Sequence, residues 1–187
     1  FVESARSLGA GPGRILTRAA FANATAVAMA TGCSTNAIIH LIAMARRAGI
    51  DWGLDDLDRI GREVPVIANI RPSGSDYLME DFFYAGGLPA LMKELGDRLD
   101  LSALTVTGRT LGEEIAGATV WNDDVIRPLS NPVYHEGSLA VLRGNLAPDG
   151  AVMVACARVR RVASAVPWPS GTSVDSSYVA PSGSITS

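Results

Sequence analysis

The chain has 187 residues, 48% of them hydrophobic and 19% charged, enough for one domain or for one domain and part of a second. Its formal net charge is −3, and basic residues cluster only at Arg46-Arg47 and at Arg158, Arg160 and Arg161, which argues against a nucleic-acid or anionic-membrane partner. The most apolar stretch, residues 19–45, is interrupted by Asn23, Thr25, Thr31, Gly32, Ser34, Asn36 and His40, too polar for a span of about 20 apolar residues.

The first residue is Phe1, and no basic start followed by an apolar core can be read, so the chain is expected to begin inside a longer reading frame or after a cleavage. Cys33 and Cys156 lie far apart and form no CxxC pair. That argues against a disulfide framework and makes the cytoplasm the expected compartment.

In chain order, GAGPG at 9–13 reads as a loop, and dense small and apolar residues predict a helix over 14–30, packed on several sides. Thr31-Gly32-Cys33 breaks it. Ser34 or Thr35 then caps a helix over 36–48, whose apolar residues leave only Arg46 and Arg47 clearly solvated; those arginines complement the helix dipole and Gly49 ends it. A helix-like segment with early acids follows at 54–63. Residues 64–70 read as a short buried strand with Pro65 near its start. A turn at 71–75 leads to two helices, 77–84 and 87–95, separated by Gly86-Gly87.

A strand is expected at 104–107, then a helix capped by Thr110 and running through Ala116. Strands alternating with helices argue for an α/β domain. After Trp121 the texture becomes loop-rich, and strands are expected at 139–146 and 151–154, joined by a turn at Pro148-Asp149-Gly150. Residues 157–187 are rich in serine, with Asp175 their single acid, and read as a disordered tail.

Several segments carry a family likeness. They are Thr31-Gly32-Cys33-Ser34-Thr35-Asn36-Ala37, LDDLDRI at 54–60, VPVIAN at 64–69, RPSG at 71–74, MED at 79–81, AGGLP at 85–89, LTVTG at 104–108 and LAVLRGNLAPDG at 139–150. Together, over roughly 14–152, the chain resembles the dihydroxy-acid, phosphogluconate and sugar-acid dehydratases. The stretch 77–84 looks more like the pentonate (arabinonate or xylonate) branch.

The resemblance implies an α/β fold. Residues 1–122 would be the later part of an N-terminal α/β domain, and 123–156 would open a β-barrel-like C-terminal domain. Residues 157–187 stay unmatched, and a frameshift is the economical account of them. It also implies dehydration of a sugar acid to a 2-keto-3-deoxy acid. In that chemistry a [2Fe–2S] cluster acts on the leaving hydroxyl, Mg²⁺ holds the substrate and a serine alkoxide removes the α-proton. The family is typically a dimer or tetramer. The motifs carrying cluster, metal and serine fall outside 1–154, so no catalytic residue or metal ligand is assigned here and neither cofactor is expected on this chain. The alternatives are a dihydroxy-acid dehydratase of branched-chain amino-acid synthesis and an inactive remnant.

The site candidates are Ser34, Thr35 and Asn36, at a helix start where free N–H groups attract a carboxylate; capping alone is the competing account. Ser73-Gly74 reads as structural. Cys33 reads as a small buried thiol rather than a cluster ligand, and His40 as a satisfied core histidine rather than half of a metal pair with it. His135 and Glu136 read as an inter-domain polar contact. Asp55, Asp56 and Asp58 read as a solvated helix start, and Glu80-Asp81 as a solvated or salt-bridged helix face. No Lys-Ser/Thr follows the 9–13 glycines, so they form no phosphate loop.

Overall fold

The computed structural model describes residues 11–74 and 76–155, together with Glu3, Ser7 and Gly9. The expectations for 157–187 and for Cys156 lie outside the described residues.

The fold combines helices with a small two-stranded antiparallel sheet. Gly11 leads into a single turn of helix, α1 (Pro12–Ile15), with proline at its start, where a missing N–H costs nothing. The single helix expected over 14–30 is therefore two. Thr17 is the reason: its hydroxyl accepts from the Ala20 N–H at 3.2 Å and caps a new helix, α2 (Arg18–Thr31). Phe21, Asn23, Thr25, Ala26, Met29 and Ala30 of α2 are buried.

Gly32, at φ 78°, closes α2 in a left-handed conformation that residues with a Cβ rarely adopt. Ser34 caps α3 (Thr35–Arg47). This helix is less enclosed than its composition suggests: Ile38 and Ala45 are buried, whereas Ile39, His40 and Met44 are exposed. The reading of His40 as a core residue is thereby corrected. It lies on the open face of α3, away from the stripe that packs inward.

In α4 (Leu54–Glu63) the Asp56 carboxylate accepts from the Gly53 N–H at 3.2 Å, and Leu57, Ile60 and Gly61 face the core. Residues 64–70 are all buried, as their apolar run requires, but they do not form a regular strand. Their bonds go to an irregular partner. Val66 donates to Tyr134 O at 2.9 Å, Asn69 to Val125 O at 2.8 Å, and Arg127 to Ile67 O at 2.8 Å. A loop in place of a strand opposite this segment leaves only isolated bridges, Val66 with Tyr134, Ala68 with Ile126 and Ile70 with Tyr77. Ile67 and Ala68 also both donate to Ala30 O at 3.1 Å, fixing the segment against the end of α2.

Helix α5 (Met79–Tyr84) starts two residues later than expected, Tyr77 being bridged to Ile70; α6 (Gly87–Leu95) follows as expected, and a turn of 3₁₀ helix, Gly96–Arg98, closes it. The strand expected at 104–107 is a turn instead. Thr105 donates to Arg109 O at 2.8 Å, Gly108 (φ 82°) donates back to Thr105 O at 3.1 Å, and only Leu104 bridges Thr110. The threonine hydroxyls that suggested a strand bond locally, Thr105 to Thr107 at 2.8 Å. Thr110 then caps α7 (Leu111–Ile115).

The hairpin pairs β1 (Leu139–Gly144) with β2 (Ala147–Val154), Leu139 opposite Val154 and Leu142 opposite Ala151. Its turn lies between Gly144 and Ala147 and not at 148–150; Pro148, Asp149 and Gly150 instead form an irregularity within β2, where the register shifts. One buried cluster runs from Phe21 of α2 through Trp52, Leu91 and Ile126 to Leu139 of β1.

Candidate functional site

The three site candidates sit at the elbow between α2 and α3. The Ser34 hydroxyl accepts from the Asn36 N–H at 3.3 Å, and Ser34 O accepts from Ala37 N at 3.0 Å. Ser34 and Asn36 are exposed and Thr35 is half-buried. The start of α3 is therefore open to a ligand while its cap is made locally.

The elbow is held by groups distant in sequence. The buried Ser73 donates its hydroxyl proton to Gly32 O at 3.0 Å, and a side chain at Gly32 would collide with Ser73. Ser73 O in turn accepts from the Tyr134 hydroxyl at 3.3 Å. Asn69, also buried, donates through Nδ2 to Asp124 O at 3.3 Å and to the Asp76 carboxylate at 3.4 Å. Gly32, Ser73 and Tyr134 thus form one chain of hydrogen bonds at the elbow, and Asn69 links Asp76 to Asp124. The structural role read for Ser73 agrees with this geometry. Asn69 and Tyr134 went unrecognised as contributors; each stands in a stretch that reads only as strand or loop, and nothing in local spacing announces a partner more than 50 residues away.

The remaining sequence candidates are dispersed. Cys33 is half-buried, and burial pushes its thiol pKa above the ordinary cysteine value, so the thiol stays protonated. His135 and Glu136 are exposed in the loop before β1. The three acids of α4 each have a separate basic partner: Asp55 pairs with Arg143, Asp56 with Arg18, and Asp58 with Arg62 at 2.9 Å. The reading as a solvated helix start holds for Asp55, whose side chain is 92% exposed, whereas the Asp56 pair with Arg18 ties α4 to α2. On α5, Asp81 accepts from the Leu78 N–H at 2.7 Å and caps its own helix. Among the described residues no three His, Cys, Asp or Glu side chains come together as a metal ion requires.

Three clefts lined by described residues do not include Ser34, Thr35 or Asn36. An apolar groove of about 380 Å³ runs between α2 and α6, lined by Ala20, Ala24, Val27, Met92, Leu104 and Leu111. A second of about 390 Å³ lies between α1 and the end of α3, and a third of about 240 Å³ contains Arg59 and Arg98 opposite Glu63 and Asp97. No described helix is long and apolar enough to cross a membrane.

The N-terminal model of the dihydroxy-acid/6-phosphogluconate dehydratases matches residues 2–114, and the C-terminal model of the same family matches 124–168. The chain belongs to this dehydratase family. Relatives named as such enzymes agree. An L-arabinonate dehydratase of Rhizobium leguminosarum bv. trifolii is 54% identical over 144 residues, covering 76% of this chain and 25% of the relative. A dihydroxy-acid dehydratase of Methylibium petroleiphilum is 47% identical over 146 residues, covering 75% and 26%. One from Ignicoccus hospitalis is 50% identical over 153 residues, covering 81% and 28%. The chain spans about a quarter of the length of these dehydratases.

Proposed function

We propose that this chain is part of a hydro-lyase that converts a sugar acid of the pentonate class to its 2-keto-3-deoxy acid. The observation that carries the reading is the 54% identity with an L-arabinonate dehydratase across 144 residues. Ser34, Thr35 and Asn36 would form part of the pocket floor, where the first free N–H groups of α3 meet the substrate carboxylate. The reading gives Ser73 and Tyr134 a supporting role, holding the elbow from behind.

The proposed enzyme uses a [2Fe–2S] cluster and Mg²⁺, which supply Lewis acidity toward the leaving hydroxyl and the carboxylate. The described residues do not fit either group: no three His, Cys, Asp or Glu side chains among them come together, and Cys33 is the only cysteine among them. Both are proposed to belong to other parts of the enzyme, and no step is assigned to them here. The enzyme is proposed to be a cytoplasmic homo-oligomer, dimer or tetramer, divided as residues 1–122 of an α/β domain followed by a β-rich domain from 123.

A second reading, dehydration of a 2,3-dihydroxy acid, is favoured by the dihydroxy-acid dehydratases at 47% and 50% identity. A chimera decides between them. Residues 14–152 of this chain would replace the matching segment of the Rhizobium L-arabinonate dehydratase. Retained dehydration of L-arabinonate supports the first reading, and a switch in preference to a branched 2,3-dihydroxy acid supports the second. An inactive chimera that folds and carries its cofactors would point to a remnant and overturn both.

A further inference from the structure

Arg127 follows two core residues, Val125 and Ile126, each 1% exposed. Its backbone N–H donates to Ile67 O at 2.8 Å, and Ile67 donates in turn to Ala30 O at 3.1 Å, so the residue is anchored to the buried run 64–70 near the end of α2. The side chain is half-buried, and its Nε is shut off from solvent with no hydrogen-bond partner.

Acids tied to the same two segments are engaged elsewhere. Glu94 accepts from the Leu129 N–H at 2.9 Å, and Asp76 accepts from Asn69 Nδ2 at 3.4 Å. Asp123 and Asp124 are exposed. None of these, nor any other described carboxylate, forms an ion pair with Arg127. Other cations of the chain stand differently. Arg18, Arg62 and Arg143 have acids, Lys93 reaches Ala116 O and Ala118 O, and Arg46 and Arg47 are exposed at the end of α3.

A guanidinium cannot shed its proton, so Arg127 stays charged where it is half-buried. Leaving such a group uncompensated beside apolar residues is strongly unfavourable. A carboxylate fits it. Two carboxylate oxygens match the parallel N–H bonds of Nε and one Nη. One guanidinium also balances the single charge of a carboxylate, whereas a phosphate carries nearly two.

We infer that Arg127 binds a carboxylate supplied from outside residues 11–155, either that of a bound acid or an Asp or Glu of the rest of the dehydratase. The inference rests on the hydro-lyase reading only for its probe, L-arabinonate. Exchange at one N–H and turnover by the chimera are separate readouts, so either can fail alone.

NMR of the 187-residue chain with nitrogen-15 in its arginine side chains tests it, the Arg127 Nε–H being identified through its own backbone amide. L-Arabinonate is expected to shift this signal saturably and to slow its exchange with water at least about tenfold, whereas L-arabinose and sodium chloride change neither. Arg127→Gln should then weaken calorimetric binding of L-arabinonate at least about tenfold. That result assigns the carboxylate to a bound acid. A signal that ignores L-arabinonate in the chain, but is already slowed in the chimera with no acid added, assigns it to an Asp or Glu of the remaining enzyme. Exchange as fast as that of Arg46 and Arg47 in both proteins, whatever is added, shows that water satisfies the Nε–H and overturns the inference. L-Arabinonate binding that a folded Arg127→Gln variant leaves unchanged overturns it too, and if that variant does not fold the exchange measurement alone decides.

Discussion

Ser73 and Gly32 are 41 residues apart, yet the serine hydroxyl donates to the glycine carbonyl oxygen at 3.0 Å, and no side chain fits between them. The two positions must therefore be read together. Gly32→Ala adds a Cβ to a residue at φ 78° and drives it into Ser73, which is expected to cost about 3 kcal/mol in urea unfolding. Ser73→Gly alone should cost about 1 kcal/mol for the lost hydrogen bond. The double substitution should be better than the sum by at least about 1 kcal/mol, because the collision is gone. Strict additivity would show that the close approach does not constrain the elbow.

Asn23 is a polar residue in the buried face of α2, and it makes a reciprocal clamp. Its Nδ2 donates to Asp100 O and its Oδ1 accepts from Asp100 N, both at 2.8 Å. Asn23→Leu leaves the Asp100 backbone groups without these partners. A loss of about 2–4 kcal/mol is expected, together with faster hydrogen exchange at the Asp100 amide. An unchanged exchange rate would argue against the clamp.

Arg18 lies 5.1 Å from the centre of the Trp52 ring, pairs with Asp56 and donates to Asp51 O. Arg18→Ala should destabilise by about 1 kcal/mol and shift the Trp52 emission. Because this arginine is more than half exposed, the ion pair itself adds little, and raising the salt concentration should reproduce only a minor part of the loss.

The α7 cap carries a pH signature. Glu113 accepts first from the Thr110 backbone N–H at 2.8 Å and then from its hydroxyl at 3.0 Å, and both bonds hold its carboxyl below the ordinary glutamate range. A depressed carboxylate pKa means that the cap's contribution is fully present above the ordinary value and is lost as pH falls through the folded one. NMR titration of Glu113 should show the low value. Thr110→Ser should preserve it, and Thr110→Ala should bring it part of the way back by removing the hydroxyl. A normal value in the unaltered chain would contradict the cap geometry.

Local signals were legible where a residue acts on its neighbours. Ser34 and Thr110 announce helix starts because a short hydroxyl reaches N–H groups two or three residues on, and the structure uses both. Thr17 is the same kind of signal, and it was masked by the apolar residues on either side. The buried run 64–70 was legible as buried but not as irregular, because regularity depends on what lies opposite, and that is the loop around 125–134. Likewise Pro148-Asp149-Gly150 has the chemistry of a turn, but Gly150 packs close to Leu54 of α4. A Cβ there would lie 2.7 Å from Leu54 Cδ1, and the segment is incorporated into β2. Of the candidate site, the α3 start was legible; the Ser73, Asn69 and Tyr134 support was not, since it is assembled from three separate stretches of chain.

The hairpin leaves and rejoins the core at a single point. Ser138 donates its N–H to Met29 O at 3.2 Å and accepts from the Ala155 N–H at 2.6 Å, so the two ends of the hairpin are one hydrogen bond apart. Such a connection makes β1 and β2 interchangeable with other hairpins. A longer or shorter one grafted between Ser138 and Ala155 can keep the hydrogen bond that closes the two ends, and the contacts exchanged are those that β1 and β2 make with α3, α4 and the core. In engineering terms, the tip between Gly144 and Ala147 is a place where the chain tolerates a change of length.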